Sequence, residues 1–201
     1  MPPPASRGSE RRAGIAVLAA FALVSVFFTG LFSHFSNPNE VSRFEAAYAV
    51  VENGTFSIDT AVKILGRSED TAVSGGHLYS NKAPGLAFVA IPVYRALRAF
   101  FPRPRSASEP IFVLLRLLTV TLVSCIAIAA FLRRLRPSRE GPLVAFAVVF
   151  GTPFFFYART FFSHAWTASL LFLAWELVRK REESKVQSPK SKVGAASNSF
   201  L

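Results

Sequence analysis

Residues 13–33 carry no charged side chain. At about 1.5 Å of helical rise per residue, about 20 residues cross the roughly 30 Å hydrocarbon layer of a bilayer, so this run is long enough to span one. Arg7, Arg11 and Arg12 precede it and also suit a secretory signal. A signal's apolar region is shorter, about 7–15 residues, and ends at a small-residue cleavage site, which does not follow Ser33. The run predicts an uncleaved first span.

The remaining composition agrees with a chain held in lipid. Of 201 residues, 51% are hydrophobic and 21 are Phe, with a mean hydropathy of +0.36, and the apolar residues come in blocks. The net charge of +11 raises nucleic acid as a partner. The basic residues sit at the edges of apolar blocks, however, as juxtamembrane charges do, and no nucleic-acid-binding motif is present. No nucleic-acid partner is expected. The single cysteine, Cys125, lies in an apolar run and has no intrachain partner for a disulfide.

Four further apolar blocks cover 84–101, 111–132, 142–158 and 161–178. If all four crossed, Arg133, Arg134, Arg136 and Arg139 would lie outside, as would Arg179, Lys180, Arg181 and Lys185, against the positive-inside rule. If 84–101 stays on the surface, every basic flank becomes cytoplasmic. That block carries Pro92, Arg95 and Arg98, and Leu86, Val89, Val93, Leu97 and Phe100 recur on one helical face, as in an interfacial helix. The expected fold class is therefore all-α. It is a polytopic membrane protein with four spans (13–33, 111–132, 142–158 and 161–178), both termini cytoplasmic, and amphipathic juxtamembrane helices in an outer loop at 34–110.

Within that loop, Asn37 caps a helix that has Pro38 at its first position and Glu40 at its third. Val41, Phe44, Tyr48 and Val51 form its apolar stripe, and Gly54 closes it. Residues 74–85 are rich in turn formers. Residues 1–12 form a basic cytoplasmic start, and 181–201, without periodicity, predict a disordered tail.

On this topology Glu40, Lys82, Arg116, Arg159 and His164 gather on the outer side. Cations beside one carboxylate suit a phosphate-bearing ligand, since Arg offers a planar fork and Lys a mobile point charge. Glu40 then has the position of a general base. Each also has a plainer role: Glu40 as a capping glutamate, Lys82 as a solvated charge, and Arg116 as a snorkelling side chain. Arg159 has one as a helix-end marker, and His164 as a hydrogen-bonded turn residue. Asn53-Gly54-Thr55 matches a glycosylation triplet but reads as a helix stop. No metal-ligand spacing is present.

Four stretches in this order resemble a known family. Asn39-Glu40-Val41-Ser42-Arg43-Phe44 is similar to the acidic motif of GT-C membrane glycosyltransferases, such as protein O-mannosyltransferases and the lipid A aminoarabinose transferase. Tyr79-Ser80-Asn81-Lys82-Ala83-Pro84-Gly85-Leu86 resembles their aromatic-x-x-Lys-Pro-Pro-Leu stretch, with Ala83 in place of the first Pro. Leu115-Arg116-Leu117-Leu118 resembles the Arg-Leu opening the next span, and 152–159 resembles the Ser/Thr-Pro segment before an outer turn. His164 stands where many members have an acidic residue.

The resemblance covers 13–180, the N-terminal module only, and implies sugar transfer from a polyprenyl-phosphate donor to a hydroxyl acceptor outside a bacterial inner membrane. It implies Glu40 as the catalytic residue. It places Arg43, Tyr79, Lys82, Arg116, Arg159 and His164 around the substrate. The implied partners are membrane lipid and the lipid-linked sugar, with a further membrane subunit as another expectation; a divalent metal cofactor stays open. The competing expectation is a non-catalytic chain, either a truncated remnant or an assembly subunit; a small transporter subunit is a weaker one.

Overall fold

The computed structural model describes residues 7–31, 37–135 and 138–197, with side chains described as far as Ser184. The end of the expected first span at 32–33, the loop start at 34–36, Arg136 and the two chain ends at 1–6 and 198–201 lie outside the described residues.

The chain is mostly helical. Helix α1 (Arg7–Leu31) and the continuous helix Pro110–Leu135 are long and apolar enough to cross a membrane. The latter is built of α5 (Pro110–Arg116), a π-helical segment (Leu117–Thr121) and α6 (Leu122–Leu135). The expected crossing at 142–158 is interrupted. Helix α7 (Gly141–Phe150) stops at Gly151, and α8 (Phe154–Ala158) resumes after Pro153. Pro153 has no N–H to continue the ladder, and Thr152 Oγ1 donates to the Val148 carbonyl at 2.7 Å, closing the first helix. Helix α9 (Ser163–Ser197) runs on through the stretch expected to be disordered. Arg179 begins that continuation by pairing with Glu176 and, one turn on, with Glu183.

These segments alternate in direction. At one end a Cβ on Gly14 would lie 3.5 Å from Leu132, and Arg134 Nε lies 3.9 Å from Glu176. In the middle, Phe21 of α1 meets Phe150, Phe154 and Phe155. At the other end, Thr29 Oγ1 donates to the Arg159 carbonyl at 3.4 Å and Thr121 Oγ1 to that of Ala158 at 2.9 Å. So although α7 and α8 are separate helices, together they climb the length of α1.

The 37–110 region forms a folded cap on that second end. Asn37 accepts from the Asn39 N–H at 2.9 Å, Pro38 opens α2 (Pro38–Tyr48), and a π-helical turn (Ala49–Asn53) ends at Gly54 with φ +67°. Helix α3 (Asp59–Leu65) and α4 (Gly85–Leu97) complete the cap's helices. Between them lies a feature that an all-α expectation missed, an antiparallel hairpin of β1 (Thr71–Ser74) and β2 (His77–Ser80). Gly75 and Gly76, at φ +58° and +81°, form its two-residue turn, a conformation with positive φ at both central positions.

Only part of the stripe that periodicity suggests for α4 faces the cap core, where Leu86 is buried and Val93 and Leu97 pack against the cluster. Leu86, Ala87, Ala90 and Tyr94 are buried, while Val89 is 40% and Phe100 83% exposed. The small Ala87 and Ala90 permit close approach to the cap core, and Tyr94 fixes the rotation. Its ring lies between Tyr48 and Phe112, and its hydroxyl donates to Glu52 at 3.0 Å. Arg98, expected at a membrane surface, pairs with Glu52.

Two apolar clusters result. The cap core gathers Phe44, Tyr48, Ile58, Tyr94 and Phe112 and reaches Phe161 between α8 and α9. The bundle core is Phe21, Ile128, Val149, Ala158 and Ala165. The candidate site lies where the cap meets the bundle.

Candidate functional site

Glu40 is carried by the first turn of α2, whose cap residue and N1 proline set the entry of the chain. A capping-box glutamate would fold back onto its own helix start. Glu40 instead reaches across the cap–bundle junction, where its Oε1 accepts from the backbone N–H of Phe161. The residue is 2% exposed, and Arg116 Nη1 lies 3.9 Å from the same oxygen. Burial pushes the Glu40 carboxyl up; the Phe161 N–H, then Arg116, Arg159 and Arg43, act in the opposite direction. The carboxyl is thus held above its ordinary range, within the field of three guanidiniums.

Arg116 comes from the last turn of α5, directly before the π-helical segment, where Thr119 Oγ1 donates to the Leu115 carbonyl at 2.6 Å. Such π segments re-aim side chains and recur at functional sites. Arg159 follows α8 and its guanidinium lies over the rings of Phe28, Phe155 and Phe156, at 5.4, 5.6 and 5.3 Å from their centres. These rings hold a cation in a largely apolar setting.

Of the sequence candidates, the structure therefore brings Glu40, Arg116 and Arg159 together. Lys82 stands apart, because its Nζ pairs with Asp70 at 2.7 Å, a partner the sequence offered no signal for. Arg43 links the two groups. It is 5% exposed, its Nη1 donates to the Asn39 carbonyl at 2.9 Å, and its Nε has no hydrogen-bond partner. Both Asp70 and Glu40 act on its charge. The result is a line of alternating charges running from Lys82 through Asp70, Arg43 and Glu40 to Arg116.

Arg43, Tyr79 and Lys82 line one cavity of about 110 Å³, with Phe56, Phe88 and Ile91 as its apolar wall. The hairpin positions Tyr79 and Ser80 there. Ser42 Oγ ties β2 to α2 through Ser80 Oγ at 2.6 Å and donates to the Asp70 carbonyl at 2.7 Å. His164 belongs to neither group; its ring stacks on Tyr157 at 4.5 Å between centres, at the start of α9.

Two acidic residues outside the expected set also have covered side chains in the cap. Glu52 accepts from Tyr94 and Arg98, and Arg103, which donates to the Tyr48 hydroxyl at 2.8 Å, lies 3.7 Å from it. Glu45 is fully buried with neither carboxylate oxygen hydrogen-bonded, and burial pushes its carboxyl up to about 7. Among the described residues no three His, Cys, Asp or Glu side chains are grouped to hold a metal ion. Chemically, the junction offers one carboxyl for proton exchange and several fixed cations for an anionic group.

Set against known proteins, the chain matches no family model, no curated protein and no solved structure.

Proposed function

We propose that this chain is an integral membrane protein that handles a phosphate-linked sugar donor at the outer face of a bacterial inner membrane, with both termini cytoplasmic. Exposed apolar side chains support the membrane setting. Leu23, Leu143, Leu171 and Leu177 are 67–70% exposed along helices α1, α7 and α9, an arrangement that suits lipid far better than water. From Arg11 to Thr29 the helix rises about 27 Å, close to one hydrocarbon thickness, so the two polar ends of the bundle suit the two interfaces. Arg133, Arg134, Arg139 and Arg179 gather at the end away from the cap, which favours that end as cytoplasmic. In this reading α1, Pro110–Leu135, the paired α7–α8 segment and the apolar part of α9 are the four spans.

The reaction proposed is inverting glycosyl transfer, as the resemblance to GT-C enzymes implies. The acceptor hydroxyl oxygen bonds to the anomeric carbon while the carbon–oxygen bond to the donor phosphate breaks. The electron pair leaves on the phosphate, facing Arg116 and Arg159, and Glu40 takes the hydroxyl proton. The cavity lined by Arg43, Tyr79 and Lys82 offers room for the polar part of a substrate. The observation that carries this reading is Glu40 set among Arg116, Arg159 and Arg43 at one end of the bundle. In a full-length context, Glu40→Gln is expected to lower transfer from a polyprenyl-phosphate sugar by about 10²–10⁴-fold. Unchanged transfer would remove Glu40 from the mechanism.

One observation favours a second reading, a non-catalytic membrane subunit: the Glu40 carboxylate is closed off by the Phe161 N–H and 2% exposed. In that case Glu40 is a clasp between cap and bundle. Purified chain would then bind no lipid-linked sugar, and Glu40→Gln would loosen the fold without a transfer activity to lose.

A further inference from the structure

At the end of the bundle opposite the cap, α1, α6 and α7 leave a cleft of about 150 Å³. We infer that this cleft binds the headgroup of an anionic phospholipid, with Arg11 and Arg133 on its phosphate. The inference rests on the membrane reading above but on no part of the glycosyl-transfer reading.

The cleft combines two chemistries. Arg11 and Arg133 line it from two different helices, and Ser138 adds a hydroxyl from the turn before α7. Ile15 and Leu132 form part of its apolar floor. Guanidiniums recognise phosphate oxygens, and an apolar floor continuous with exposed helix faces accommodates the start of an acyl chain. Among the described residues no carboxylate is ion-paired to either guanidinium. Arg134 and Arg179 close by are by contrast engaged with Glu176. Glu10 also lines the cleft, so its local balance is two cations to one carboxylate. A polyol headgroup uses all of these, with its phosphate on the arginines and a glycerol hydroxyl donating to Glu10. Basic pockets between helices on the cytoplasmic side are suited to anionic headgroups for this reason.

The geometry of the cleft depends on a close backbone approach. A Cβ on Gly141 would lie 2.6 Å from the Leu135 carbonyl oxygen, so only glycine lets the chain turn tightly from α6 into α7 and bring Ser138 beside Arg133.

The test uses the full chain purified in detergent, titrated with phosphatidylglycerol and with phosphatidylcholine, reading bound lipid by native mass spectrometry. Phosphatidylglycerol is expected to bind at least about tenfold tighter. Removing both cleft cations in Arg11→Gln/Arg133→Gln is expected to cost about 100-fold, on the order of tenfold for each charge-assisted contact to the phosphate that is lost. The variant Arg12→Gln/Arg139→Gln removes the same charge outside the cleft and is expected to cost less than about fivefold. Equal losses in the two variants would mean diffuse attraction and overturn the site. So would no preference between the lipids. If the chain washes off membranes in carbonate, the membrane reading itself fails, an outcome distinct from these.

Discussion

Replacing Glu45 by glutamine is expected to leave stability nearly unchanged below about pH 4.5 and to raise it by about 3 kcal/mol at pH 8. The side chain is fully buried on α2, both carboxylate oxygens lack hydrogen-bond partners, and its carboxyl titrates near 7 against an ordinary value of 4.5. Because the folded value is the higher one, the folded state binds the proton more tightly than the unfolded chain. Its contribution is complete below 4.5 and is lost as the pH rises through 7. At about 1.36 kcal/mol per pH unit the gap amounts to about 3 kcal/mol. Glutamine is close in shape to the protonated acid and does not titrate, so the variant escapes this loss. Graded unfolding in mixed micelles, followed by the fluorescence of Trp166 and Trp175, reads the difference. Between pH 5 and pH 8 the wild-type midpoint should fall more steeply than the variant's, because Glu45 adds its own loss to that of the groups common to both. Parallel curves for the two proteins would refute the assignment, because every other titrating group is common to both.

Phe44→Ala removes a fully buried ring stacked on Phe161 at 4.1 Å and is expected to cost about 3–5 kcal/mol in the same unfolding assay. Glu52→Ala leaves Tyr94 and Arg98 without their acceptor and is expected to cost about 3 kcal/mol, with Glu52→Gln milder because it still accepts from Tyr94. A topology reporter fused after Arg139 should give a cytoplasmic signal. An extracytoplasmic signal there would invert the bundle and move the Glu40 site to the wrong side of the membrane.

Parts of this architecture are readable from short stretches because the physics there is local. Asn37-Pro38 and Gly54 bound α2 and its π-helical end through their own side-chain and backbone preferences. Apolar length alone marks α1 and Pro110–Leu135. The hairpin had a signal in Gly75-Gly76, yet its strands are four residues each with none fully buried, too short to show alternation. Periodicity placed α4 as a helix; of its stripe, Leu86, Val93 and Leu97 pack on the cap core, while an aromatic stack and one carboxylate set a rotation that leaves Val89 turned outward.

The candidate site divides the same way. Residue type and order suggested Glu40, Lys82, Arg116, Arg159 and His164 as a group, and the fold brings only Glu40, Arg116 and Arg159 of these together. Two features no linear reading supplied: Glu40 bonds to an N–H 121 positions away, and Lys82 turns to Asp70. Which carboxylate a buried cation faces depends on how two helices pack, and packing is a property of the assembled chain. Where the two long apolar helices run and where α2 starts and stops depend on neighbours in the chain, so the residues alone fix them. That 37–110 folds into a cap, that 141–158 breaks at Gly151–Pro153, and that Glu40 closes the junction emerge once the segments are packed together. Those outcomes follow from desolvation and close packing between segments far apart in sequence.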